Sequence, residues 1–350
     1  MEDEKTFRSF SEIIGQEKAV TYLKRVMARE KIPHAYLFTG IPGVGKTTTA
    51  LALTQAINCH EQLDGEGCGQ CKSCRQIMNG NFPDLIYIKP DGQNIKIEQI
   101  RELNRALAFK PVSGGYRVSI IFDAEMMTGE AANSFLKTLE EPPPDNILIL
   151  NVTEPLDLIP TIVSRCQKIS FKPLPVRVIR DCLMEKEDIE EEKVIVLAKI
   201  AEGSLGRTIQ MVESGFFEKR QESLLRLLKL PELSSDQALE MALEMSRKGH
   251  KKNLNASDKN DISLFELLSI WKTWYRDLIV MKLKGPADLL INIDFSHKLK
   301  NICKNFKIEN LMNSFMTVDR AQRDLMQTRN IDLIMENAVL SLRGFASPSK

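Results

Sequence analysis

The sequence has almost no net charge and no long apolar run. Its 48 lysines and arginines face 47 aspartates and glutamates, which leaves a formal net charge of +1. This balance excludes a strong non-specific attraction to nucleic acid, so any contact with DNA must come from a local patch or from a partner. The charged start, Met1 to Lys5, lacks the apolar core of a secretory signal, and no later segment is apolar over the length of a membrane span. We therefore expect a cytoplasmic protein with no membrane partner.

The sequence also lacks internal repeats and low-complexity segments, so its 350 residues fit ordinary globular domains. This length exceeds what a single hydrophobic core usually supports and predicts two or three domains. Disulfides are not expected in a reducing compartment, although the chain has seven cysteines. Closely spaced cysteines in such a compartment indicate metal ligands instead.

Short apolar strands alternate with helical segments from about residue 10 to residue 172, which predicts an α/β domain with a parallel sheet covered on both faces. After residue 172 the strand pattern stops and the sequence is helical, with a polar, turn-rich boundary at 251–261. The fold class is thus α/β followed by all-α, with domains at 1–172, 173–250 and 262–345. The predicted strands are Ala35 to Thr39, Leu85 to Lys89, Val118 to Phe122 and Ile147 to Val152.

A phosphate-binding loop joins the first of these strands to a helix. Residues 40–47 match G-x-x-x-x-G-K-[ST], and the strand, loop and helix together give the motif its required context. Its glycines let backbone N–H groups approach phosphate oxygens, the lysine neutralises phosphate charge, and the threonine can hold Mg²⁺. The predicted ATP-binding residues are Gly40, Gly43, Gly45, Lys46, Thr47 and Thr48.

Four cysteines follow in the module 59–74: Cys59, Cys68, Cys71 and Cys74. Four thiolates suit tetrahedral Zn²⁺ and predict a closed structural site. His60 is adjacent and could compete as a ligand, although four cysteines already complete the coordination shell. The alternative is a loop with four free thiols, but two CxxC steps that share a cysteine favour zinc.

These motifs together resemble the clamp-loader subunits of bacterial DNA polymerase III, the γ/τ and δ′ proteins of the AAA+ class. The resemblance covers the first domain and rests on the phosphate loop, the cysteine insert and three further segments, which are Phe10 to Gln16, Leu136 to Pro142 and Ser164 to Cys166. It implies an AAA+ P-loop domain at 1–172, a small helical lid domain at 173–250 and a C-terminal helical collar domain at 262–345. It also implies a heteropentamer with γ/τ and δ subunits that loads the sliding clamp onto primed DNA.

The acidic residues that ATP hydrolysis requires are altered. An acid at a strand end helps to hold Mg²⁺, and a second group orients the attacking water. In related ATPases the strand that corresponds to Val118–Phe122 usually ends in Asp and then Glu. Counting back from Leu136–Pro142 places Phe122 at the first position and Asp123 at the second, although a slip of one residue would let Asp123 serve the metal. We predict ATP binding with slow or absent hydrolysis, and robust turnover would mean that Asp123 or Glu125 rescues the site.

Three more residues receive roles from the resemblance. The arginine of Ser-Arg-Cys, Arg165, would enter the ATP site of the adjacent subunit as an arginine finger, acting in trans. Thr153 corresponds to the first sensor position, although an ordinary β-branched strand residue is an equal alternative. Arg207 lies in the second-sensor region.

The subunit type follows from the same segments. Gly206 separates Leu205 from Arg207, and the first acid is replaced by Phe122, which both favour a δ′-type subunit. The length leaves no room for the tail of a τ chain, whereas the intact phosphate loop is a departure from some δ′ proteins. The alternative is a γ/τ-type motor ATPase. A stand-alone regulator or helicase loader would explain the loop but not the cysteines or Ser-Arg-Cys. We expect an accessory subunit without polymerase chemistry, and its own ATPase activity is an open question.

Overall fold

The protein is described from a computed structural model that covers residues 9–62, 64–185, 189–254, 262–327 and 330–346. The chain divides into two compact units. Unit 1 comprises the described part of 1–178 together with 203–207, and unit 2 comprises the described part of 179–202 and of 208–350.

Unit 1 is built on a five-stranded parallel sheet in the order β2-β3-β4-β1-β5. This confirms the predicted α/β class and fits the P-loop fold that the resemblance implies. The fifth strand was not predicted, because its residues are exposed except for Ile169 and give no apolar pattern. The strands are β1 (Ala35–Thr39), β2 (Leu85–Ile88), β3 (Arg117–Ile121), β4 (Asn146–Val152) and β5 (Gln167–Ser170).

Helices cover both faces of this sheet. The side chains of β1 alternate, so Tyr36 and Phe38 pack with α1 and α2 on one face, while Leu37 packs with α4 and α5 on the other. Every residue of β1 is buried, as expected for a central parallel strand. The helices of unit 1 are α1 (Glu17–Ala28), α2 (Lys46–Asn58), α3 (Lys72–Met78), α4 (Ile97–Leu107), α5 (Gly129–Glu140) and α6 (Pro160–Val163).

Unit 2 is helical throughout its described residues, which confirms the predicted all-α region. One apolar core runs through it, and Trp271, Trp274 and Leu278 of the predicted apolar stripe are buried in that core. The helices α7 (Val176–Met184) and α9 (Leu205–Glu213) each cross between the two units in sequence. The others are α8 (Glu191–Ile200), α10 (Phe216–Lys229), α11 (Ser235–Leu254), α12 (Leu264–Lys282), α13 (Ser296–Asn305), α14 (Ile308–Met326) and α15 (Ile331–Ala346).

The predicted domains 173–250 and 262–345 both contribute to this one core, and their division into a lid and a collar stays a prediction. The predicted boundary at 251–261 starts inside α11, which extends to Leu254, and residues 255–261 lie outside the described ones. None of the described helices combines the length and the apolar character that a bilayer crossing requires.

Candidate functional site

The phosphate loop connects the end of β1 to α2. Gly40 donates its backbone N–H to the carbonyl oxygens of Val152 and Thr153, at 3.2 and 3.1 Å, and so ties the loop to the end of β4. Gly43 has a φ of +73°, and a Cβ at this position would lie 2.5 Å from the Ser204 hydroxyl oxygen. The loop therefore requires glycine at position 43 for both backbone conformation and space.

Helix α2 starts within the motif. Gly45 precedes it with a φ of 108°, and Lys46, Thr47 and Thr48 form its first turn. The backbone N–H groups of a first turn have no acceptor inside the helix, and the helix dipole adds partial positive charge there. These three N–H groups are thus available to a phosphate, and the location of Thr48 in this turn explains why it belongs with the predicted ATP-binding residues.

The Lys46 ammonium group lies against the loop itself. It donates to the carbonyl oxygen of Gly40 and, at 3.2 Å, to that of Ile41. Burial lowers the pKa of Lys46, while the carboxylates of Glu125 and Asp123 act in the opposite direction. Lys46 thus shares its electrostatic environment with both acids that follow β3.

Gln16 connects the start of the domain to the loop. Its side-chain amide donates to the carbonyl oxygen of Lys172 at 2.8 Å and to that of Val44 at 3.4 Å, and it accepts from the Lys172 N–H at 3.1 Å. Gln16 ends the segment Phe10 to Gln16, and Phe10 is buried in the α1/α2 core. This segment therefore supports the phosphate loop from outside the motif.

Residues 203–207 of unit 1 also contact the phosphate loop. The Ser204 hydroxyl donates to the Pro42 carbonyl at 2.8 Å, and the Gly206 N–H donates to the Gly43 carbonyl at 2.9 Å. Arg207 follows directly and its side chain is exposed. The second-sensor segment thus contacts the phosphate loop through its backbone and a hydroxyl, and a role of Arg207 in binding ATP stays a prediction.

The residues that follow β3 at or near the two acidic positions have different surroundings. Phe122 packs its ring against Tyr87, with ring centres 5.9 Å apart, so it contributes to the core. Asp123 is exposed and has a left-handed backbone, with φ of +46°. Glu125 lies one turn further, half-buried, and its Oε1 accepts the backbone N–H of Thr153 at 3.0 Å. The carboxylate in contact with the end of β4 is therefore that of Glu125.

A second polar residue at this edge, Asn151, was missed by the sequence reasoning, which named Thr153. The Asn151 amide nitrogen donates to the Thr47 hydroxyl at 3.3 Å, and the side chain is 3% exposed. Thr153 meets Glu125 and Gly40 through its backbone. The one signal for Asn151 in the sequence is a polar residue within the apolar run Ile147 to Val152.

The four predicted cysteines are brought together at the far end of α2. Their sulfur atoms all lie within 4.8 Å of one another, and those of Cys59 and Cys71 are 3.9 Å apart. Tetrahedral Zn²⁺ with Zn–S bonds of about 2.3 Å requires sulfurs about 3.8 Å apart. Cys68 Sγ accepts the N–H groups of Gln70 and Cys71 at 3.5 and 3.3 Å. The spacing and the N–H donors fit four thiolates around one Zn²⁺.

His60 has a different partner, since its Nε2 lies 3.4 Å from the Ser73 hydroxyl, and among the described residues the group of close donor atoms consists of the four cysteines. Burial raises the pKa of the Cys71 thiol, but hydrogen bonds from the N–H groups of Cys74 and His60 and from neighbouring thiols outweigh burial and lower it to about 6. The thiolate form of Cys71, which binds metal, is thus favoured, whereas burial raises the pKa of the Cys59 and Cys74 thiols.

Arg165 lies on the surface after α6. Its guanidinium donates to Glu140 Oε1 at 2.6 Å and to the Thr161 carbonyl at 3.0 Å. The side chain remains 36% exposed in this ion pair. Two contacts thus orient Arg165 without enclosing it.

Arg165 and the phosphate loop lie at opposite ends of the parallel strands, Arg165 at the edge where the strands begin and the loop at the edge where they end. Gln167, the first residue of β5, pairs in parallel with Tyr36 of β1, so Arg165 comes just before the edge at which the strands begin. The loop starts at Gly40, after the strands have run about 13 Å at about 3.3 Å per residue. The structure therefore does not bring Arg165 together with the other predicted site residues.

Known proteins resemble the chain in sequence. The profile of the family described as "DNA polymerase III, delta subunit" matches residues 15–175. DNA polymerase III subunit delta′ of Bacillus subtilis (strain 168) is 29% identical over 94% of this chain and 96% of its own length. DNA polymerase III subunit tau of the same organism is 26% identical over 95% of this chain and 61% of its own length. The tau subunit of Escherichia coli (strain K12) is 35% identical over 68% of this chain and 38% of its own length.

Proposed function

We propose that this chain, a homologue of the δ′ and γ/τ clamp-loader subunits of bacterial DNA polymerase III, acts as a δ′-type subunit of a clamp loader. In that role it assembles with γ/τ and δ subunits in a heteropentamer that loads the sliding clamp onto primed DNA. It adds no polymerase chemistry. The match along nearly the whole length of the delta′ relative supports the δ′ type.

In this proposal the chain binds ATP with Mg²⁺ at its phosphate loop. Lys46 and the first-turn N–H groups of α2 hold the phosphates, and the Thr47 hydroxyl faces the metal. Hydrolysis is slow because Phe122 occupies the position of the first acid and is packed in the core. Asp123, at the position of the second acid, is exposed, which leaves the attacking water without an oriented acid. Thr153 and Arg207 complete the nucleotide site as the two sensors.

The location of Arg165 carries the proposal of a catalytic role in trans. About 13 Å of strand separates its edge of the sheet from the phosphate loop of the same chain, so its guanidinium is available to the ATP site of a neighbouring subunit. A planar guanidinium stabilises the charge that develops on a transferred phosphoryl group. Arg165 thus completes a site that this chain does not contain.

The four cysteines hold Zn²⁺ with a structural role. Four thiolates complete a tetrahedral shell and leave no position for water. Zinc binding then stabilises a module with few apolar residues of its own. The helices of residues 262–345 form the collar with the same domain of neighbouring subunits.

The experiment is steady-state ATP hydrolysis beside direct ATP binding, first with the isolated chain and then with γ/τ and δ partner subunits, sliding clamp and primed DNA. We expect binding with little turnover by the isolated chain. In the complex, Arg165→Ala should lower turnover at the site that Arg165 completes by roughly 10³-fold or more, the usual contribution of an arginine finger. The complex as a whole would lose the share of that one site. Lys168→Ala, which removes an exposed lysine from β5, is the matched control.

Two outcomes would contradict this proposal. Equal turnover by complexes that carry Arg165→Ala and Lys168→Ala would remove Arg165 from catalysis. Robust turnover by the isolated chain would replace the δ′ assignment by the alternative of a γ/τ-type motor, which the intact phosphate loop favours.

A further inference from the structure

The turn after β3 brings one particular carboxylate back to the phosphate loop. The half-buried Phe122 packs its ring against Tyr87, and the left-handed Asp123 precedes a single 3-10 turn over Ala124–Met126. Ala124 is buried at 0% exposure and anchors this turn. The side chain of Glu125 consequently reaches the end of β4, where its Oε1 accepts the Thr153 N–H. The backbone thus replaces a missing strand-end acid by an acid three residues later.

Two buried oxygen atoms at this edge have no hydrogen-bond partner among the described residues. They are Oε2 of Glu125 and Oδ1 of Asn151. Burial of a polar atom without a partner costs on the order of 1–3 kcal/mol, and more for a charged group. The cost is offset when the missing partner is a cation or a donor that arrives with a ligand. Both atoms are acceptors, so either a metal cation or a hydrogen-bond donor of the ligand would satisfy them.

The surroundings favour a metal cation. The Asn151 amide already bonds Thr47, whose hydroxyl is the metal ligand of the phosphate loop motif. Glu125 exerts a stronger electrostatic influence on Lys46 than Asp123 does. The two buried oxygens thus border the residues that face the phosphates. Mg²⁺ prefers oxygen ligands and is bound in such sites by one or two carboxylates together with substrate phosphates.

We propose that Glu125 is the acidic residue that holds the nucleotide-bound Mg²⁺ in this chain, with the Asn151 amide oxygen beside it, in place of the acid that Phe122 has replaced. The inference rests on the proposed function, since it requires ATP at the phosphate loop. It also separates two functions that paired acids usually share. Glu125 keeps the metal-binding function, while the water-orienting function is left to the exposed Asp123. Tight Mg²⁺-dependent binding with slow hydrolysis is the expected combination.

The test is the affinity of the full chain for a fluorescent ATP analogue, measured with excess Mg²⁺ and again with EDTA, for the wild type and for Glu125→Gln. Glutamine keeps an oxygen for the Thr153 N–H but removes the charge. With Mg²⁺ we expect the variant to bind the analogue at least roughly tenfold more weakly than the wild type, in line with the loss of one charge-assisted contact. With EDTA the variant should bind as tightly as the wild type or tighter, because a negative charge beside the phosphates is gone.

Two comparison variants make this reversal specific. Asp123→Asn should weaken Mg²⁺-dependent binding less than Glu125→Gln does, since Asp123 is exposed, and Glu130→Gln on the exposed face of α5 should bind as the wild type. The affinity for Mn²⁺ in the presence of nucleotide, followed by electron paramagnetic resonance, should fall in Glu125→Gln. It should be unchanged in Glu130→Gln.

The possible failures are distinguishable. A wild-type chain that binds no nucleotide under either condition would overturn the proposed ATP site and this inference with it. A wild type that binds Mg²⁺ and ATP, beside a Glu125→Gln variant with the same affinity, would overturn the assignment of Glu125 alone. Equal weakening of the variant with Mg²⁺ and with EDTA would reduce Glu125 to a structural partner of Thr153. A larger loss in Asp123→Asn would return the metal to Asp123.

Discussion

In the proposed function, the edge where the strands of unit 1 end and the edge where they begin carry different parts of a phosphoryl-transfer site. At the edge where the strands end, buried or half-buried groups surround the phosphate loop, and two of their oxygens have no partner within the described residues. At the edge where the strands begin, Arg165 is an exposed cation in a surface ion pair with Glu140. In the proposed function, the first edge binds the nucleotide of this chain, and Arg165 at the second edge contacts the nucleotide of a neighbouring subunit.

This difference explains how one chain can both bind and assist. A phosphate loop needs backbone N–H groups and glycine conformations, which have to be fixed by the local fold. A guanidinium that acts on a neighbour needs only exposure and a defined direction. Loss of an acid such as that replaced by Phe122 weakens the first edge without a direct effect on the second. If the proposed function holds, the chain loses its own turnover and keeps its contribution to the turnover of a neighbour.

Replacement of the proposed metal ligand Cys71 is expected to have the largest effect, and it tests whether the cysteine module supports the phosphate loop. Helix α2 runs about 20 Å from the phosphate loop to Cys59, at about 1.5 Å per residue. Cys71→Ser should abolish stoichiometric Zn²⁺, because structural zinc needs all four ligands for its affinity of about 10–16 kcal/mol in small zinc modules. The measurements are metal content by atomic emission and ATP affinity on the same sample.

For this variant the expected pair of results is loss of zinc with ATP affinity changed by less than about threefold. Cys182→Ser, which replaces a cysteine of α7 outside the cluster, is the control and should retain zinc. Full metal content in Cys71→Ser would show that the ligand set is wrong. A parallel loss of ATP binding would show that the module supports the phosphate loop through α2.

Lys46→Ala is expected to have the next largest effect and is confined to the edge that receives the nucleotide. Loss of a charged contact to phosphate costs about 1.5–3 kcal/mol, which weakens ATP binding roughly 10- to 150-fold. Calorimetric titration with ATP and Mg²⁺ measures this change. Lys168→Ala at an exposed position of β5 should bind as the wild type.

The same variant sharpens the comparison when it is placed in the complex. A neighbour site that receives Arg165 should keep its turnover although the Lys46→Ala chain binds ATP more weakly. If turnover of the complex disappears with Lys46→Ala, nucleotide at this chain controls the arginine edge, and the separation of the two edges is wrong.

The sequence indicated the phosphate loop and the cysteine cluster more directly than the surroundings of Arg165, for physical reasons. The phosphate loop and the four cysteines are local motifs, so their spacing fixes their geometry. The bond between Asn151 and Thr47 joins residues 104 positions apart, and no local pattern announces it. Strand β5 was missed because it is an outer strand of the sheet, and only one of its four residues, Ile169, is buried. Its exposure also leaves Arg165 at the surface.

Fold class was predictable because hydrophobic alternation and helical periodicity are properties of short segments. The contact of Glu125 with the end of β4 was not predictable. It depends on one left-handed residue, Asp123, in a turn that the sequence does not distinguish from a regular strand end. The partner of Arg165 was not predicted either. Glu140 belongs to the segment Leu136 to Pro142, which carries part of the family resemblance and sets the count of positions but does not indicate an ion pair with Arg165.

The smallest expected effect belongs to Glu140→Gln, which asks whether the ion pair prepares Arg165 for its neighbour or withholds it. Glu140 is 50% exposed, and exposed ion pairs contribute about 0.2–1 kcal/mol, so a change of at most about fivefold follows. We expect kcat of the neighbouring site to fall by this factor with KM for ATP unchanged, since orientation of Arg165 affects the transition state rather than binding. The adjacent exposed Glu141→Gln is the control. A rise in kcat for Glu140→Gln alone would reverse the interpretation, because the carboxylate would then compete with phosphate for the guanidinium, and the arginine edge would be held in reserve rather than prepared.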